Sequence, residues 1–351
     1  MLHKKGRKDS IENYRPISLT CILCKVMESI ISDYIMTYFF EYDLFSKFQY
    51  GFIKGRSAAL QLIKVIDDLT MNLEHGKQTD ILYTDFEKAF DKVSHRRLLS
   101  KLRSYGINDQ VIEWIKSFLS NRSQCVKINQ KLSNSRAVLS GIPQGSVLGP
   151  LLFVIYINDL PNFFNNMCDI YLFADDAKLY KCIYSKQDSD DLNKCFNSMI
   201  EWSNTWLMKL NIAKCKVLSV YTNKNNYIKY EYGQCSPSTA TIALEHEDCM
   251  KDLGVLIDSE LTFAKHIHAK INVAYKMLGI IRRNFNFMVM DKFTFLTLYK
   301  TLVRNHLEYV NSVWCPYKIS LIRDVEKFQK HATKLFKQCK SMSYQDRLRF
   351  L

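Results

Sequence analysis

The chain has 351 residues, 47% of them hydrophobic and 13% aromatic, which excludes a disordered or fibrous protein and allows about two or three domains, or subdomains around one core. Its formal net charge is +14, and most of that lies at one end: residues 261–351 carry 17 Lys and Arg against 5 Asp and Glu. So one-sided a basic field suits a polyanion, nucleic acid foremost, with an evenly basic surface as the alternative.

In chain order, residues 18–42 and 57–73 read as helices; in the second, Leu62, Ile66, Leu69 and Leu73 recur at helical spacing behind a Ser cap. Residues 79–84 alternate as a strand. Short helices follow at 98–102 and 111–119, then a pair of strands at 124–128 and 136–140. An apolar segment of helical length runs from 147 to 164, with Pro150 near its first turn. Strands at 169–173 and 178–184 are joined through Ala174, Asp175, Asp176 and Ala177, a hairpin with acid at its tip. Leu192, Phe196, Met199 and Trp206 mark another helix, and a strand covers 216–220. Residues 221–246 read as a polar surface loop. Helices at 263–284, 291–309 and 321–338 complete the pattern, so the fold class is α+β with a basic helical appendage.

Eleven cysteines, an odd number, follow an opening, MLHKKGRK, that has no apolar export stretch. Reduced thiols in an intracellular setting, cytoplasm or nucleus, are expected. The longest apolar run, 151–157, falls far short of the ~20 residues a membrane span needs, so no membrane partner is expected.

Asp85 ends a strand, and Asp175 with Asp176 tips a hairpin; neighbouring strands bring such carboxylates close. Three of them at one point repel unless cations sit between. Two Mg2+ ions roughly 3.5–4 Å apart would neutralise the cluster and clamp the attacking and leaving oxygens of a phosphoryl transfer. A surface hairpin with adjacent acids is the alternative, although YLFADD sets these acids after an apolar strand, where unpaired charge is costly. The stretch SGIPQGSVLGP (140–150) places glycines before a helix, suited to a nucleotide pocket or to an ordinary cap.

YTDFEKAFDKVSHRRLL (83–99), SGIPQGSVLGPLLFVIYINDL (140–160) and FADD (173–176) resemble motifs A, B and C of a reverse transcriptase. NYRPISL (13–19) and QYGFIKGRS (49–57) are similar to fingers motifs of non-LTR retrotransposons, LINE-type and jockey-like. LNIAKCKVL (210–218) and DLGVLID (252–258) resemble the D and E segments, and LYKTLVRNHLEYVNSVWCP the thumb. The resemblance implies a right-hand polymerase: fingers at 1–78 and 106–139, palm at 79–105 (motif A) and 140–258 (motifs B to E), and a basic helical thumb at 259–351. It implies an RNA-directed DNA polymerase that adds dNTPs to a primer 3′-OH, with an RNA template, a DNA primer and an RNA/DNA hybrid as partners. Asp85 and Asp175 would hold two Mg2+ ions, or Mn2+ in their place, with Asp176 and the Phe86 carbonyl completing the set. Phe90 matches the steric gate against a ribose 2′-OH. Gln144 and Gly145 match residues touching the incoming nucleotide, Arg56 is assigned to the triphosphate, and Lys214 to protonating pyrophosphate. Relatives continue beyond both ends, so a fragment of an element's reading frame is expected. A catalytically silent RNA-binding relic and an RNA-dependent RNA polymerase are the alternatives, the latter opposed by Phe90.

Four further features read as structural. Cys21 and Cys24 form a lone CxxC in apolar helical surroundings, which favours core packing over zinc. His266 and His268, two apart on a helix, face different ways. Trp202 and Trp206 read as core, and Asp91 as a structural or salt-bridged acid.

Overall fold

The computed structural model describes residues 2–3, 6–7, 9–10, 13–15, 18–128, 130–223, 227–234, 242–285 and 290–351. The chain forms two compact units: Met1–Gln61, Thr79–Val217 and Tyr227–His246 make the first, and Leu62–Gln78, Leu218–Asn226 and Glu247–Leu351 the second. No helix among the described residues is long and apolar enough to cross a membrane. Part of the NYRPISL segment, Pro16 and Ile17, lies outside the described residues, as does part of the 221–246 loop.

In the first unit, helix α1 (Ile22–Glu41) leads to helix α2 (Ala58–Glu74), whose first turn belongs here. Strand β1 (Gln78–Thr84) follows; almost every residue of it is buried, as befits a central strand covered on both faces. Helices α3 (His95–Ser104) and α4 (Asp109–Leu119) bury Leu98, Leu102, Ile112 and Ile115. Helix α5 (Gly149–Ile157) is apolar on all sides, and Leu151 to Ile157 are all buried; a helix of that pattern belongs in a core. Strands β2 (Asp169–Phe173) and β3 (Asp176–Ile183) form the antiparallel hairpin. Helix α6 (Lys186–Thr205), strand β4 (Lys216–Val220) and strand β5 (Glu245–His246) complete a five-stranded sheet of order β5-β4-β1-β3-β2. Trp202 is buried against Phe86 and Trp206, in agreement with the core reading.

The structure departs from the sequence expectations in several places. The apolar run at 147–164 is not one helix: α5 ends at Ile157 and a 3-10 turn covers Leu160–Phe164. Asn158 follows the last residue of α5, and its side chain accepts from Ser46 N and donates to Leu44 O. Asp159 in turn accepts from Lys101 Nζ at 2.7 Å and Trp202 Nε1 at 3.1 Å. The strands expected at 124–128 and 136–140 are two short antiparallel pairs, Ser123–Gln124 with Arg136–Ala137 and Lys127–Ile128 with Lys131–Leu132. Cys21 and Cys24 are exposed rather than packed in the core, since α1 buries only Glu28, Ile35 and Phe39.

In the second unit, a hairpin of β6 (Cys249–Asp252) and β7 (Val255–Asp258) precedes helix α7 (Ala264–Asn284). Ile267, Ile271, Ala274, Leu278 and Ile281 form its buried stripe at three- and four-residue spacing. The helix expected at 291–309 is α8 (Lys292–Leu298), a π-helical stretch (Tyr299–Arg304) and α9 (Asn305–Glu308). A further helix, Ile319–Lys334, buries Leu321, Phe328 and Ala332, and Phe328 meets Tyr275 edge-on. His266 is buried beside Trp314, its Nδ1 accepting from Leu256 N at 3.0 Å; burial, and secondarily Lys270, hold its pKa down at about 4.

Candidate active site

All nine residues assigned to chemistry lie in the first unit. Asp85 directly follows β1, the strand next to β3 in the sheet. The Thr84 hydroxyl donates to Ala177 O at 2.9 Å, so the end of β1 stands beside the start of β3, where Asp176 is the first residue. The hairpin turn is tighter than the sequence reading: Phe173 pairs with Asp176, leaving Ala174 and Asp175 as the two turn residues. Ala174 takes φ +55°, a left-handed conformation that a tight two-residue hairpin turn calls for.

A loop from the N-terminal region holds that turn. The Gln49 amide accepts from Ala174 N at 3.0 Å and Gly51 N at 2.8 Å, and donates to Ala174 O. Tyr50 N donates to Leu172 O, and Leu172 N to Phe48 O. Gly51 passes so close that a Cβ there would lie 2.4 Å from Ala174 N, which requires glycine. Arg56 fastens the same loop, its Nη1 donating to Ser46 O at 2.5 Å and Gln49 O at 2.6 Å; burial lowers its pKa.

Asp85 meets a cation of the chain itself: Lys214 Nζ donates to Asp85 Oδ2 at 2.9 Å. The contact is built by the backbone, since Asn211 N donates to Asp85 O and Phe86 bridges to Leu210. The Phe86 ring is buried. Among the described residues no three His, Cys, Asp or Glu side chains stand close enough to hold an ion together, so the expected carboxylate trio is not assembled as a cage. Asp85 instead points to Lys214, while Asp175 and Asp176 sit on the adjoining hairpin.

The Phe90 ring stacks on Phe153 with centroids 4.5 Å apart and meets Phe52 edge-on. The glycine-rich stretch is tied to motif A: Ile142 N donates to Phe90 O and Gly141 N to Val93 O. Gln144 Nε2 donates to Asp91 Oδ1 at 2.9 Å, so Asp91 is a positioning acid, bonded to an amide rather than salt-bridged. Gly145 is exposed, at φ +110°. Glu28 was not singled out in the sequence. Buried in α1, it accepts from Val147 N at 2.7 Å and Leu148 N at 3.1 Å through one oxygen, within that stretch. Gln49 and Glu28 stand inside the quoted or adjacent fingers segments, but no spacing rule marks them.

A strand-end acid, an acid-tipped hairpin on the next strand and a glycine-rich loop bonded to Phe90, Asp91 and Val93 thus belong to one unit of the chain. The family described as Reverse transcriptase (RNA-dependent DNA polymerase) matches residues 2–279, and the chain belongs to it. Its relatives include the RNA-directed DNA polymerase from mobile element jockey of Drosophila funebris, 32% identical over 76% of this chain and 29% of that one. The jockey polymerase of Drosophila melanogaster is 29% identical over the same shares. The chain spans about a third of the length of the curated relatives it matches. Telomerase from Candida albicans, solved with a TWJ fragment of telomeric RNA, is similar with a TM-score of 0.52 and 11% identity, covering 90% of this chain and 57% of that one. That likeness shows a shared reverse transcriptase fold.

Proposed function

We propose that the chain is the polymerising part of an RNA-directed DNA polymerase of a non-LTR retrotransposon, adding dNTPs to a DNA primer on an RNA template. The carrying observation is the adjacency of two acidic strand ends, Asp85 after β1 and Asp175–Asp176 at the tip of the β2–β3 hairpin, on strands joined at Thr84 and Ala177. The donor set suits a hard divalent cation, since it is all oxygen and Asp85 already draws an ammonium. Asp85, Asp175, Asp176 and the Phe86 carbonyl would hold Mg2+ or Mn2+, which when bound activates the primer 3′-OH and neutralises phosphate charge.

The chain's own side chains supply the rest. Lys214, beside Asp85, has a proton to give to the departing pyrophosphate, and moves from carboxylate to phosphate to do so. Phe90, braced flat on Phe153, lies across the sugar and leaves a 2′-OH neither space nor partner. Gln144, aimed by Asp91, and the backbone at Gly145 meet the nucleotide base pair. Arg56, which fastens the loop through Ser46 O and Gln49 O, is assigned to the triphosphate by the resemblance alone. The fingers, palm and thumb boundaries given above follow this reading, and the basic helices of 259–351 track the RNA/DNA backbone without reading sequence. Cytoplasm or nucleus, where templates are found, is the setting.

Primer extension on an RNA template with dNTPs and Mg2+ tests the proposal. Elongation that disappears in Asp175→Asn is expected; equal extension by both, or none by the wild type, contradicts it.

A further inference from the structure

We propose that Cys21 and Cys24 are a redox-active dithiol that closes to a disulfide by exchange with small-molecule disulfides such as oxidised glutathione. Cys21 is the N-cap of the 20-residue helix α1, and its Sγ accepts from Cys24 N at 3.5 Å. The pair is thus i, i+3 across the first turn, side chains on one face. Both are exposed, and the residues between them, Ile22 and Leu23, are 80% and 77% exposed, so a small disulfide meets no barrier. Cys168 and Cys195 are also mutual neighbours, but Cys195 is buried and out of reach of such a reagent.

The two thiols are unequal, and the one with more thiolate attacks first. The Cys24 N–H and thiol hold Cys21 below the usual thiol range, and the Cys21 thiol pushes Cys24 up. The Cys21 thiolate attacks one sulfur of the glutathione disulfide, forming a mixed disulfide and expelling one glutathione thiolate. Cys24 then gives up its proton and attacks Cys21 Sγ, expelling the second. The protein loses two electrons and two protons, and two glutathione thiols gain them.

The dithiol also occupies a strategic turn. Ser18 N, three residues before Cys21, donates to Gln144 O at 2.8 Å, and Glu28, four residues after Cys24, accepts from Val147 N and Leu148 N. Oxidation therefore acts on the segment that tethers the 144–148 loop from both sides.

The test uses the full chain in buffers of reduced and oxidised glutathione, trapped with N-ethylmaleimide and read by peptide mass mapping, a readout independent of polymerase activity. The peptide spanning 21–24 is expected to lose two hydrogen masses, without glutathione attached. Cys24→Ser is expected to stop at a glutathione adduct on Cys21. Cys21→Ser, which keeps a good N-cap, is expected to react roughly tenfold more slowly at Cys24. Stable glutathione adducts on both cysteines, or a reduced pair when exposed Cys125 and Cys315 are already modified, would overturn the proposal.

Discussion

Lys214 Nζ lies 2.9 Å from Asp85 Oδ2, joining the acid that ends the central strand to a residue 129 positions later. Both side chains are open to water, Lys214 at 66% and Asp85 at 36% exposure, so the pair stabilises the fold by less than about 1 kcal/mol. In the proposed mechanism the pair is a proton donor stored next to the acid beside which pyrophosphate would depart.

Lys214→Met separates the two roles. The thermal midpoint is expected to stay within a few degrees, while the single-turnover extension rate falls about 100-fold. The dNTP concentration for half-maximal rate should stay put. Rapid-quench extension measures both; a large stability loss with an unchanged rate would reassign Lys214 to architecture.

Phe90→Ala removes the ring stacked on Phe153 and bordered by Phe52. Discrimination between dNTP and rNTP is expected to fall by about tenfold or more, because the 2′-OH gains room. Competitive incorporation of paired dNTP and rNTP reads the ratio directly, and an unchanged ratio removes the gate assignment.

Glu28→Gln tests the buried tether of the loop. Its carboxylate takes two N–H bonds, each charge-assisted, and an amide oxygen replaces them at a cost of about 1.5–3 kcal/mol. Amide exchange at Val147 and Leu148 is expected to quicken, with KM for dNTP rising more than kcat falls. Unchanged exchange at those two amides would show that the carboxylate holds nothing there.

Much of this was legible in the residues. Asp85, Asp175 and Gln144 stand in ordered motifs, and the strands at 79–84, 169–173 and 216–220 were readable from alternation and apolar runs. What was hidden depends on partners distant in sequence. The partners of Asn158 are Leu44 and Ser46, more than a hundred residues earlier, and Glu28 looks like one more helix acid until Val147 and Leu148 reach it. Cys21 and Cys24 read as core because periodicity does not say how far along a helix the cover extends; they share the face of Ile35 and Phe39, but α1 buries nothing before Glu28. The Lys214 contact with Asp85 was hidden for a similar reason, since it depends on backbone pairing at Asn211 and Leu210.

The buried His266 gives the second unit an acid sensitivity. Its folded pKa of about 4 lies below the unfolded value of about 6.5, so its neutral form favours the fold. That stability is fully present above about pH 6.5 and is lost as pH falls from there toward 4, by at most about 3 kcal/mol. Protonating Nδ1 also forfeits the bond from Leu256 N. Urea midpoints at pH 7 and pH 5 should drop for the wild type and much less for His266→Gln; parallel drops would contradict this.

The most direct measurement of the central claim is Mn2+ binding, followed by the electron paramagnetic resonance of the free ion, in wild type, Asp85→Asn, Asp175→Asn and the double variant. If the two acids serve one site, each single change abolishes the same tight binding and the double change adds nothing. Binding that survives both substitutions, or losses that simply add as for two separate sites, would contradict the account.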